Sequence, residues 1–449
     1  MTMQTGASTA DIGARLDRLP IGGFHKRIIW LIGAGMFFDS FDIYLAGGVL
    51  GALVKSGWSN IASNASFLSM TFIGMLIGAL AAGYLGDARG RKFSYQFNLA
   101  IFGIASLAGA FAPSMNWLIV CRFFMGLGLG AEIVIGYGCL GEFVPPGVRG
   151  KWSAYLSLIT NSALFFSTLL GYLIIPHLSW RVMFAIAGVG ALIVWYLRRK
   201  MPESPRWLKS RGRDAEAERV MAGIESEFDA SRLPAPQPVP AAPESRLGSV
   251  ALFKPPYLRR TVLGICVHVV VNIVIYGFIV WVPTFLVKQG LGVSSSLGYA
   301  TLMSLGGPAG ALIGALVSDR IGRKYGIALV CLLAAITGWL YLSSSSIYMA
   351  TLLGFILFTL TYLLVALGVA TYVPELFPTD VRLRGNGVAN TVGRVAGIIT
   401  PQLIVTLFAT GGVNGVLTLI IGALLFLVVI MLLLGIETRK RTLEEIDKL

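Results

Sequence analysis

The chain has 449 residues, 55% hydrophobic and only 13% charged, with mean hydropathy +0.76 and a formal net charge of +14. Soluble domains carry about 25% charge, so a string of soluble domains is excluded. The basic balance suits nucleic acid only if its placement along the chain is ignored.

Apolar runs of about 20 residues are long enough to cross a hydrocarbon core roughly 30 Å thick. Twelve are expected, at 28–54, 63–86, 94–112, 115–138, 152–175, 180–197, 261–285, 296–318, 325–343, 347–370, 386–408 and 414–435. With the N-terminus inside, the cytoplasmic segments hold 31 of the 36 Lys and Arg residues, and the outer connections hold only Lys55, Arg181 and Lys288. This asymmetry is the positive-inside pattern. It predicts an inner-membrane protein with both termini cytoplasmic, a lipid partner and no nucleic acid. Residues 1–27 are polar and the first apolar run is a full span, so no cleavable signal peptide is expected. Cys121, Cys139, Cys266 and Cys331 all fall in or at the ends of spans, and no disulfide is expected.

The chain repeats itself. Gly83 to Lys92 carries an Asp-x-x-Gly-Arg-Lys turn after span 2, with Asp87 and Arg91. Gly314 to Lys324 repeats it after span 8, with Asp319 and Arg323. Glu142 to Pro145 after span 4 matches Glu375 to Pro378 after span 10, and Glu203 after span 6 is echoed by Glu437 after span 12. Landmarks at nearly one offset predict two six-helix bundles, 1–200 and 261–449, each followed by cytoplasmic sequence. Between them, 201–260 reads as a helical loop and a linker carrying Pro234, Pro236, Pro238, Pro240 and Pro243. No phosphate-binding Gly-rich loop of the Walker type occurs, so direct ATP drive is not expected. No nucleophile–base set or metal-ligand spacing points to an enzyme, a metal or a cofactor.

Charges inside a bilayer are costly and mark function. Span 1 holds Asp39 and Asp42, three apart on one helix face. Span 4 holds Arg122, on one face with Gly126 and Gly130, and Glu132. Span 11 holds Arg394. Three carboxylates and two guanidiniums sum to −1, and an anionic substrate would make −2, which favours coupled entry of a proton. Asp42 with Arg122 also reads as a permanent brace. His268 in span 7 is either a proton shuttle or a neutral core histidine. Asn161, Asn272, Tyr276 and Trp281 either line a cavity or pack helices. At the inner face, pairs are expected between Asp87 and Arg91, Glu142 and Arg149, and Glu375 and Arg382 or Arg384. These pairs would hold while the outside is open and break when the inside opens.

These motifs resemble the major facilitator superfamily over nearly the whole chain, with Ala88 and the early Gly314 as mild departures. Pro202 to Leu208 and Pro374 to Thr379 resemble its sugar-porter-like branch. The glutamines of sugar porters are absent from span 7, which reads Cys266 to Asn272. Asp39-Ser40-Phe41-Asp42 resembles the Asp-Gly-Phe-Asp of aromatic acid and related metabolite:proton symporters. That resemblance implies proton coupling by Asp39, Asp42 and Arg122, and a carboxylate site at Arg394. The function it implies is import of a benzoate- or nicotinate-like anion with a proton, by a monomer. A sugar or other neutral-solute symporter, or a non-transporting sensor, would use the same scaffold.

Overall fold

The computed structural model describes residues 12–229, 233–235, 252–255, 257–317, 321–377 and 381–438. Asp319, most of the proline-rich linker and the basic C-terminal tail lie outside them, as does the side chain of Asp87. The fold is all-helical, and each of the twelve expected runs is a helix or a broken helix. Spans 1 to 6 are Gly23–Lys55, Ile61–Arg89, Arg91–Ala110, Met115–Phe143, Pro146–Ile174 and Trp180–Leu197. Asn60, Ser114 and Ser179 start spans 2, 4 and 6 by accepting from Ser63 N (2.8 Å), Trp117 N (3.3 Å) and Arg181 N (3.3 Å).

The second half is less regular. Span 7 runs through Leu258–Gly277, breaks at Phe278, and resumes as the 3-10 turn Ile279–Trp281 and helix Val282–Lys288. Span 8 is split into Val293–Ser304 and Gly306–Val317, and span 9 is Arg323–Leu342. Span 10 joins Ile347–Leu364 to a π-helical stretch, Val365–Tyr372, and ends at Val373–Glu375. Spans 11 and 12 lie within Arg382–Leu434 as two helices, separated by a sharp turn at Gly412, where φ is 57° and ψ −147°. Outward-facing Leu80, Ile104, Trp117, Ile193, Leu316, Trp339 and Leu433 are all more than half exposed, a surface suited to lipid.

Gly126 and Gly130 do allow close approach, and the neighbour is span 2. A Cβ at either would collide with the Thr71 or Met75 carbonyl. Gly306 and Gly310 of span 8 repeat this against Phe355 and Thr359 of span 10. On the face that carries both termini, the helix Ile12–Asp17 lies on Asp214–Glu225, burying Ile12 and Leu16 with Met221 and Ile224.

Hydrogen bonds joining the two halves run from mid-depth to the opposite face. They include Ser69 Oγ to Ile398 O (2.7 Å), Thr168 Oγ1 with Ser304 Oγ (2.7 Å) and Tyr362 OH to Tyr44 OH (2.5 Å). Gly47 and Gly51 of span 1 pack there on the backbone of Val280 and Pro283. The halves are thus closed together on the face away from the termini.

Candidate functional site

The charged residues expected to form one group are divided between two sites on span 1. Asp42 pairs with Arg122, both essentially unexposed. Arg122 also donates from Nη2 to Asp42 O (3.2 Å) and from Nε to Thr71 Oγ1 (3.1 Å), and its guanidinium lies 4.5 Å from the Phe67 ring centroid. The site joins spans 1, 2 and 4, and it is neutral when both partners are ionised. Removing either partner would leave a buried charge, at about 3–5 kcal/mol.

Asp39 and Glu132 belong to the second site, whose guanidinium is Arg198. Sequence reasoning counted Arg198 among the basic residues of the cytoplasmic segment, but it is 1% exposed at the end of span 6. Its Nη2 lies 2.5 Å from Glu132 Oε1. Nε and Nη2 donate to the span 1 carbonyls of Leu31 (2.8 Å) and Ile32 (2.9 Å), and the guanidinium sits 4.6 Å from the Tyr95 ring. Asp39 is 2% exposed, neither of its carboxyl oxygens has a hydrogen-bond partner, and its charged neighbours are Glu132, Arg198 and Asp42.

Arg198 corrects the charge sum. The two span 1 sites and Arg394 together hold three carboxylates, Asp39, Asp42 and Glu132, and three guanidiniums, Arg122, Arg198 and Arg394; Arg260 and Arg323, also buried, begin spans 7 and 9 at the terminal face. The total is zero before any substrate or proton binds, rather than −1.

In the second half, Arg394 is 8% exposed at mid-depth. It donates from Nε to Asn390 Oδ1 (2.9 Å) and from Nη1 across the interface to Met75 O (3.0 Å). Both acceptors are neutral. Span 7 faces it with His268 and Asn272, which flank Gly393: a Cβ there would meet His268 Cβ at 2.8 Å and Asn272 Nδ2 at 3.0 Å. Asn272 Nδ2 also donates to His268 O (2.8 Å), and His268 Nε2 is buried without a partner. Tyr276, one turn further on, meets Phe72 edge-on with centroids 4.3 Å apart. Asn161 is half-buried on span 5 and donates to Ser157 Oγ (3.1 Å). Trp281 does not join this group: it is 1% exposed and stacks on Phe285, which stacks on Phe408. A separate depression of about 410 Å³ on the far face is lined by Gln289, Ser344 and Asn414 and carries no charged group.

At the terminal face, the ion pairs run between spans rather than along loops. Glu142 pairs with Arg91 (3.0 Å), while Arg149 donates to Val144 O (3.2 Å) and lies 3.9 Å from Asp17. Glu375 pairs with Arg323 (3.1 Å) and accepts from Thr438 Oγ1 (2.5 Å); the Arg384 side chain is exposed. Both pairs lie within one half and are formed while the halves meet at the opposite face. Each pair joins two spans of one half, and neither bridges the two halves in this state.

The echoed glutamates have a definite role. Glu203 Oε1 accepts from Arg91 N (2.9 Å) and Lys92 N (3.3 Å), and Glu437 accepts from Arg323 N (2.7 Å) and Lys324 N (3.1 Å). Each carboxylate caps the helix that follows the repeated turn. Gly90 and Gly322 make the room: a Cβ at 90 would collide with Glu203 Oε2, and one at 322 would lie 2.7 Å from Glu437 Oε2. Burial raises the Glu203 carboxyl above its ordinary value, against the pull of its backbone N–H donors.

Residues 32–449 match the family described as sugar (and other) transporter. The chain is 38% identical to the inner membrane metabolite transport protein YdjE of Escherichia coli over 445 residues, covering 97% of this chain and 98% of that one. It is 32% identical to the niacin transporter NiaP of Acinetobacter baylyi over 438 residues, covering 97% and 99%. The crystal structure of a D-xylose-proton symporter superposes with a TM-score of 0.73 at 17% identity, over 94% of this chain and all of that one. With its twelve spans and repeated turns, the chain belongs to the sugar (and other) transporter family and is a multi-pass membrane transporter of the major facilitator type, not an enzyme.

Proposed function

We propose that the chain imports a small organic anion together with a proton, and that the anion is an aromatic carboxylate of benzoate or nicotinate type. The observation that carries this reading is Arg394. It is a guanidinium at mid-depth whose hydrogen bonds end on the neutral Asn390 and Met75 oxygens. A charge at the bilayer centre costs about 2.5–3.5 kcal/mol on insertion scales. A carboxylate would relieve that cost through a planar, charge-assisted pair. His268, Asn272 and Tyr276 supply polar and aromatic groups beside it. The similarity to a niacin transporter fits a ring-bearing acid.

Uptake proceeds by alternating access, the two six-helix halves rocking about the site. The contacts at Tyr44–Tyr362 and Thr168–Ser304 would separate when the far face opens. The basic segments orient the protein in the inner membrane with its termini in the cytoplasm, so the described state faces inward.

The test is uptake into proteoliposomes of benzoate, 4-hydroxybenzoate, nicotinate, a dicarboxylate, a hexose and a quaternary amine, with and without an inward proton gradient. Gradient-stimulated uptake of a monocarboxylate, lost in Arg394→Ala, is the expected result. Hexose uptake indifferent to that substitution would replace this reading with a sugar symporter.

A further inference from the structure

We infer that the coupling proton is carried by the Asp39–Glu132 carboxylate pair, held in place by Arg198, and not by the Asp42–Arg122 pair. The inference rests on proton-driven anion import and names the groups that perform its proton half.

The two sites on span 1 differ in how completely they are satisfied. Asp42 has a guanidinium of its own, which is fixed further by Thr71, the Asp42 carbonyl and the Phe67 ring. A proton there would weaken an ion pair already formed through Oδ2, although Asp42 Oδ1 is itself buried without a partner. The neighbouring site has two carboxylates and one guanidinium. Arg198 is committed to Glu132 and to the Leu31 and Ile32 carbonyls. Asp39 Oδ1 and Oδ2, Glu132 Oε1 and Oε2, Arg198 Nη1 and the Tyr95 hydroxyl are all buried without hydrogen-bond partners, Arg198 and Glu132 meeting as an ion pair. An ionised carboxylate can only accept; a protonated one can donate. A proton on Asp39 would let it bond to the Glu132 carboxylate and remove the surplus charge. The other ionisable groups around this cluster are Asp42 on span 1, Tyr95 on span 3, and Cys139 and Glu142 on span 4. The cation beyond them, Arg91 on span 3, is paired with Glu142.

Charge balance then explains coupling. The Asp42–Arg122 pair is neutral, the Asp39–Glu132–Arg198 cluster carries −1, and Arg394 carries +1. These six groups sum to zero in the empty carrier. With the anion alone it carries −1, and with the proton alone +1. With both it returns to zero, and each surplus is neutralised where it stands. Half-loaded carriers hold an uncompensated charge inside the bilayer, which opposes their reorientation.

The proton can be observed without substrate. Infrared difference spectra of the reconstituted protein after a pH jump report protonated carboxyl groups, compared for the wild type and for D39N, E132Q and D42N. The expected result is a buried carboxyl C=O band that is lost or displaced in D39N and in E132Q and retained in D42N. Using two variants guards against one that does not fold. A band that survives D39N and E132Q, or a wild type with no band, overturns the assignment. A band as expected with no carboxylate uptake by the wild type would remove anion import and leave the proton site standing. Uptake as expected with a band that vanishes only in D42N would do the reverse.

Discussion

Gly35 of span 1 lies directly against Arg198 of span 6: a Cβ at position 35 would overlap Arg198 Nη2 and sit 2.6 Å from Glu132 Oε1. The missing side chain is what admits a guanidinium between three helices. Gly35→Ala should push Arg198 off Glu132 and off the span 1 carbonyls. Breaking a buried pair costs about 3–5 kcal/mol, so the thermal midpoint of the purified protein should fall clearly. Gly138→Ala is the control, because a Cβ there meets nothing within 4 Å. Equal midpoints for the two variants would show that Arg198 is not tightly held.

Arg394→Lys should fail almost as badly as Arg394→Ala. Lysine keeps the charge but loses the planar fork. Loss of a hydrogen bond to a charged group is worth about 1.5–3 kcal/mol, which predicts a rise in KM for the carboxylate of roughly 10- to 100-fold. Initial uptake rates over a concentration series measure it. A lysine variant with wild-type KM would mean that only the charge matters.

The charge balance around Arg394 and Arg198 also predicts the driving force. A monocarboxylate carried with one proton moves no net charge. A pH gradient should therefore drive accumulation, and a potassium diffusion potential of either sign should not. Each net charge moved would instead add about 2.3 kcal/mol per 100 mV. Uptake that responds strongly to potential at constant pH would require a different stoichiometry.

The spans were legible because lipid imposes one rule, long apolar helices, on every crossing segment. The breaks were less so. Nothing around Val365–Tyr372 marks a π-helical stretch, and the break at Phe278 falls just before a helix with Pro283 in its first turn. Arg198 stands first in a run of three basic residues, and composition cannot say which of them turns inward. The terminal-face pairs did leave a signal. Arg91 to Glu142 and Arg323 to Glu375 are separated by 51 and 52 residues, so the repeat preserves the pairing. Reading each glutamate against its own loop missed it.

Closure of the far face depends on small residues. A Cβ at Gly48 would already lie 2.9 Å from Leu297 Cδ2 and 3.6 Å from Ile175 Cδ1. Gly48→Trp should wedge the halves apart there and stop turnover while the protein stays folded. Spin labels at Lys55→Cys and Gln289→Cys, in a background without the native cysteines, would report the distance. It should lengthen in the tryptophan variant; an unchanged distance would show that closure tolerates the bulk.

The helix Ile12–Asp17 should come loose on acidification. Arg15 reaches Glu225 at 2.5 Å and Glu218 at 2.7 Å, and Arg18 reaches Glu225 at 2.7 Å. Burial alone would raise the Glu225 carboxyl, but hydrogen bonds and charge from Arg15 and Arg18 outweigh it and hold it below its ordinary 4.5. A carboxyl depressed in the folded state stabilises above its unfolded value, and that contribution is lost as pH falls through the folded value. Glu203 has the opposite sign. Its carboxyl is raised on folding, so its contribution is lost as pH climbs above 4.5 toward the folded value. Hydrogen exchange separates the two. Amides of residues 12–17 should be protected at neutral pH and exposed by acid, and Glu225→Gln should expose them already at neutral pH. Protection that survives both acid and that substitution would mean that Ile12 and Leu16, packed on Met221 and Ile224, hold the helix without the ion pairs.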